Sequence, residues 1–177
     1  MRVCPGVNGG PDSVSLPVWL QTVPAVNPAV LARQAVAHLG LPLPVIRLNP
    51  TPPAAQIVYL PTWIWLDASS WGSRSATASV PGLSVTATAT AVGLVVTTGD
   101  GASVTCPGPG TAWVSGMDAN ASSPTCGHTY TRPGTFTLTA TVTWTVTWVG
   151  GGQSGTVPDL VTTATQPVAV TEAQALN

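Results

Sequence analysis

The sequence predicts a mainly β protein, an antiparallel β-sandwich behind an N-terminal extension that holds one short helix. Three observations carry this. Phe136, Leu138, Ala140, Val142, Trp144, Val146 and Trp148 share one face of a strictly alternating run, and Thr137, Thr139, Thr141, Thr143, Thr145 and Thr147 share the other. A period of two is the pattern of a strand buried on one side. Threonine is β-branched, so its face keeps the backbone extended and offers hydroxyls to water or to a neighbouring strand. The second observation is punctuation: PG at 81, GDG at 99 and RPG at 132 separate the apolar runs at the spacing of a sandwich. The third is composition. Eighteen Gly and eighteen Pro among 177 residues favour turns and short elements over long helices.

Taken in order, residues 14–20 offer one short strand, bounded by Gly9, Gly10, Pro11 and Pro24. Pro17 restricts it to an edge or an extended arm. A helix starts at Asn27, where the side chain can cap and Pro28 suits the first helical position. Val30, Leu31, Ala35, Val36, Ala37 and Leu39 then recur at helical spacing up to Gly40. His38 reads as an end-of-helix residue rather than a ligand, because no second ligand is spaced near it. Six prolines, at 42, 44, 50, 52, 53 and 61, push residues 41–61 toward extended geometry along a surface. Within that connector, 45–48 and 57–60 are apolar pieces suited to pairing with a sheet edge.

The stretch LPTWIWLDASSW follows, with Trp63 and Trp65 on one side of a strand, Ile64 and Leu66 on the other, and Trp71 after a turn. Further strands are expected at 75–80, 84–92, 94–98, 104–106, 113–114, 127–130, 135–149 and 160–170. GGGQSG, at 150–155, reads as a flexible link into the last of them. Together these features divide the chain into an arm, helix and Pro-rich connector over 1–61 and a sandwich domain over 62–177.

Charge excludes several functions. Only 6% of residues are Asp, Glu, Lys or Arg, none is lysine, and the net charge is -1, against roughly 25% charged residues in an ordinary soluble domain. The basic footprint of a nucleic-acid or anionic-membrane binder is missing. No apolar run reaches the ~20 residues of a membrane-spanning helix, and the first twelve residues lack the apolar segment of a secretory signal. A phosphate-cradling loop of the type GxxxxGK[ST] needs a lysine, so no nucleotide site is expected.

Cys106 and Cys126 flank a loop rich in Pro, Gly, Ser and Asn. They read as a disulfide worth about 3 kcal/mol in the chain-entropy model, the alternative being two buried thiols. A disulfide points to an oxidising, extracellular or cell-surface location. Cys4 is then unpaired within the chain, which suggests a bond to a partner outside this sequence.

GDG (Gly99, Asp100, Gly101) followed by HTYTRPGTFTLTATVTW (128–144) resembles a PKD domain, an immunoglobulin-like sandwich with a GDG turn, an HTY strand, a PG turn and an alternating strand. The resemblance covers 75–172. More narrowly, the chain is similar to exported actinobacterial proteins that carry one PKD-like domain behind a short N-terminal region. It departs from the pattern in having Val95 to Thr98 where an aromatic usually precedes GDG, and a cysteine-flanked insert between GDG and HTY. The resemblance implies structural roles for Gly99, Asp100, Gly101, His128 and Tyr130, with the His128 ring pinned beside the turn by backbone or by Asp100.

Chemistry is sparse. Asp12, Asp67, Asp100, Asp118, Asp159 and Glu172 are too scattered for a metal site, and Asp100 between two glycines is explained by the turn. No catalytic residue, metal or cofactor is expected. Trp63, Trp65, Trp71 and Trp113 allow two readings: a stacking platform for sugars, or the plug on which the N-terminal region packs. Packing is favoured, since Leu60, Ile64 and Leu66 make that segment apolar on both faces. The functional expectation is a non-catalytic extracytoplasmic structural or interaction module with a protein partner or a second copy of itself. The alternative is a module that binds cell-wall carbohydrate through exposed tryptophans.

Overall fold

The computed structural model describes residues 27–173, so the strand expected at 14–20 and Cys4 lie outside the described residues. In chain order the elements are α1 (Pro28–Ala37), β1 (Ile46–Asn49), β2 (Gln56–Ile57), β3 (Pro61–Leu66), β4 (Ser73–Val80), β5 (Leu83–Thr97), β6 (Ser103–Cys106), β7 (Gly127–Thr129), β8 (Gly134–Gly150) and β9 (Gln153–Thr171). They form a mainly β structure of two sheets. The smaller runs β1-β3-β7; the larger runs β2-β9-β8-β5-β4, with β6 also on β5. Every pairing is antiparallel except the short one between β2 and β9.

The alternating run becomes β8, the centre of the larger sheet. Leu138, Ala140, Val142, Trp144 and Val146 are fully buried, joined on β5 by Val85, Ala87, Ala89, Leu94 and Val96. The opposite face carries the threonines, in register with Thr88, Thr90 and Thr97 of β5 and with Thr156, Thr163 and Thr165 of β9. Ser73, Ser75 and Thr77 of β4 extend the row, each hydrogen-bonded through its hydroxyl to Thr90, Thr88 or Thr86 at 2.8–3.1 Å.

Asn27 caps α1 by accepting from the Ala29 N–H at 2.9 Å, and Pro28 opens the helix. Its buried residues, Leu31, Ala32 and Ala35, pack toward β4 and β5. Alanines at 76, 78, 87 and 89 leave the sheet surface low enough there for a helix to approach. Leu48, Ile64 and Leu66 of the smaller sheet join the same core as Leu94 and Val96. The connector is thus more than a surface run: it supplies β1 and β2 to the two sheets.

Several boundaries differ from expectation. The strands expected at 84–92 and 94–98 are one strand, β5, with an irregularity between Ala91 and Gly93. The extra residue shifts the alternation by one, so Ala91 and Leu94 both face inward opposite Trp144 and Val142. No strand forms at 113–114, and β9 begins at Gln153 rather than 160. GGGQSG is not a flexible link. Gly151 and Gly152, at φ +57° and +72°, make a two-residue hairpin turn between paired Gly150 and Gln153.

Candidate functional site

The GDG turn is a hydrogen-bonded hub. Asp100 accepts from the Thr98 hydroxyl at 2.6 Å and the Ala102 N–H at 3.2 Å through Oδ1, and its Oδ2 lies 2.8 Å from Nε2 of His128. The Tyr130 hydroxyl donates to the Thr98 carbonyl at 3.1 Å, and its ring meets His128 edge-on and stacks on Phe136. Gly99 sits at φ +83°, and a Cβ there would come within 2.6 Å of the Thr137 carbonyl oxygen. That closeness holds the turn against β8. Gly99, Asp100, Gly101, His128 and Tyr130 therefore meet in one place, and His128 is hydrogen-bonded to no serine or cysteine among the described residues.

Burial of Asp100 raises its pKa, but bonds from Thr98, His128 and Ala102 together outweigh that and lower it from 3.8 to about 2. Burial, with the Asp100 charge adding to it, pushes Tyr130 up to about 12. A depressed carboxylate stabilises the fold above its unfolded pKa and loses that contribution as pH falls through the folded one. Stability should therefore drop between about pH 4 and pH 2, by about 1–2 kcal/mol from this residue. Urea unfolding of Asp100→Asn across that window is expected to show a correspondingly flatter pH dependence. A slope equal to wild type would show that Asp100 does not carry the acid sensitivity.

The tryptophans separate. Trp63 is buried, with its indole N–H donating to the Ala121 carbonyl at 2.7 Å, so it anchors the insert between the cysteines. Trp113, in that insert, is half-buried, and its Nε1 has no hydrogen-bond partner among the described residues. Cys106 and Cys126 are disulfide-bonded with Cα atoms 5.1 Å apart, closing the insert. Trp65 and Trp71, both half-buried, line one cleft of about 450 Å³ together with Arg47, Asp67, Pro109 and Gly110.

That cleft is assembled from distant parts of the chain. Arg47 stands directly across from Trp65 in the β1–β3 register, which puts them on the same face. Asp67 directly follows β3 and caps the 3-10 turn Ala68–Ser70, accepting from the Ser69 N–H at 3.1 Å and the Ser69 hydroxyl at 2.8 Å. These two bonds and a 3.0 Å bond from Arg47 Nη2 lower its pKa to about 2. Ser70 Oγ accepts from the Val45 N–H at 2.7 Å, locking the turn that delivers Trp71. The insert forms the far wall: Pro109 accepts from the Leu66 N–H at 2.7 Å, and a Cβ on Gly110 would lie 2.6 Å from the Ile64 carbonyl oxygen. Sequence reasoning placed Trp65 and Trp71 among the stacking candidates but missed Arg47, whose only signal is its place in an apolar stretch that pairs with β3.

Among the described residues, no group of three or more His, Cys, Asp or Glu side chains could hold a metal ion, and no helix is long and apolar enough to cross a membrane. Comparison with protein-family models, curated proteins and solved structures returned no match.

Proposed function

We propose that this chain is a non-catalytic extracytoplasmic interaction module with a PKD-like sandwich, a subunit of a secreted or surface assembly that associates with further copies of itself. The observation that carries this reading is the outer face of the larger sheet. At the paired register positions of that face on β4, β5, β8 and β9 no residue is Asp, Glu, Lys or Arg, and the carboxylate beside it is Asp159, exposed at the irregularity of β9 between Val157 and Leu160. Depletion of charge, rather than bulk hydrophobicity, marks the core of a protein–protein interface. Val95, Val149 and Val161 of that face are 38%, 62% and 63% exposed among the hydroxyls. The Cys106–Cys126 disulfide supports the compartment, since such bonds persist where thiols are oxidised.

Light scattering on the eluting chain tests it. The expected mass is a multiple of the 17.9 kDa monomer, and Val149→Glu with Val161→Glu, which are not cross-strand partners, should return it to one copy that still unfolds in a single cooperative transition. Both positions point outward, so charge there opposes association and not folding. A wild-type chain that stays monomeric at high concentration would remove the reading.

A further inference from the structure

The geometry points to the cleft between Trp65 and Trp71 as a binding site for an uncharged glycan, with a pyranose ring against the indoles and its hydroxyls held by Arg47 and Asp67. This goes beyond the assembly reading, because the cleft belongs to the smaller sheet and the insert, not to the threonine face.

A volume of about 450 Å³ falls in the range of small-molecule sites, typically ~300–1,000 Å³. Its walls are apolar with a few converging polar groups. An indole has a negatively polarised face and a large flat area, which suits the weakly positive C–H side of a pyranose. Two indoles in one open cleft, neither fully covered by the protein, provide such a surface. Trp63 shows the contrast: it is 4% exposed and spends its N–H on Ala121.

The polar groups fit hydroxyls better than ions. Arg47 and Asp67 stand 3.0 Å apart with side chains 53% and 36% exposed, so the cleft presents a cation and an anion together. A free carboxylate or ammonium ligand would gain from one and be repelled by the other. A sugar diol can accept from the guanidinium and donate to the carboxylate at once. The capacity is there: three bonds reach Asp67, out of about four lone-pair sites, and Arg47 uses a single N–H in its pairing with Asp67. Arg74 adds a second cation behind the turn, but its guanidinium donates to the Ser69 and Ser73 carbonyls and does not line the cleft.

The site is also preformed. Asp67 both caps the turn that carries Trp71 and faces the ligand, while β1–β3 pairing fixes Arg47 and Trp65. Little ordering remains to be done on binding, which is where flexible sites lose affinity.

The test titrates the full chain with cellohexaose, chitohexaose and mannohexaose, following tryptophan fluorescence and heat. At least one should bind saturably. Trp65→Ala and Trp71→Ala should each weaken it at least ten-fold, and Arg47→Met several-fold. Trp71→Phe keeps most of the packing while shrinking the stacking surface, so it should weaken binding with the fold intact if Trp71→Ala proves unstable. Val161→Glu should leave binding unchanged, which separates this site from the assembly face. No saturable signal from any of the three sugars at millimolar concentration, or undiminished binding in the Trp65 and Trp71 variants, would overturn the assignment.

Discussion

Trp144→Ala is expected to cost about 3–5 kcal/mol, the range for removing a buried Trp or Phe side chain. The indole is fully buried at the middle of β8, opposite Ala91 of β5 and Leu160 of β9. Ala91 has only a methyl to offer, so no neighbour on that side can swing in to fill the void. The cavity term should therefore be near its upper limit, in a fold whose whole stability is typically about 5–15 kcal/mol. The indole N–H also donates to the Thr162 hydroxyl at 3.0 Å. Thr162→Val tests that bond separately and should cost about 1 kcal/mol, since it leaves a buried donor without its partner. Urea unfolding of both variants with unchanged m-values would support this division. A loss below about 1 kcal/mol for Trp144→Ala, the centre of the distribution for ordinary substitutions, would show that the two sheets close without the indole.

The same residue explains why the sandwich was legible in the sequence. β8 is buried on one side and solvated on the other, so its alternation survives in the composition of the two faces. Legibility ended where the alternation changes phase. Gly93 looks like a strand break, and only the pairing of Ala91 with Trp144 and of Gly93 with Thr143 shows that β5 absorbs an extra residue and continues. The glycines at 150–152 mislead for a related reason. A left-handed pair in a tight hairpin and a loose linker call for the same residue, and the strands on either side decide between them. The cleft was half legible: tryptophans at 65 and 71 announce aromatic surface. Their meeting with Arg47 and the insert depends on the β1–β3 register and on the disulfide, both long-range pairings without a local signature.

Replacing both Cys106 and Cys126 by alanine is expected to lower stability by about 3 kcal/mol, the loop-closure entropy regained by an unfolded chain freed of a cross-link of this length. The sulfur atoms are shielded, with the two cysteines 2% and 1% exposed, so alanine leaves a small apolar void and no stranded polar group. The consequences reach beyond stability because the bond closes the insert that forms one wall of the cleft. Without it the insert is held by weaker ties: the Leu66 N–H on Pro109, the Trp63 indole on Ala121, and Thr111 hydroxyl-bonded to Thr125 at 2.9 Å. The expected result is a folded chain with a lower denaturation midpoint and weakened oligosaccharide binding, while association through the threonine face persists. Non-reducing peptide mapping of the wild-type chain should recover the two cysteines in one linked fragment pair. Free thiols at both positions in natively isolated protein would remove both the cross-link and the compartment it supports.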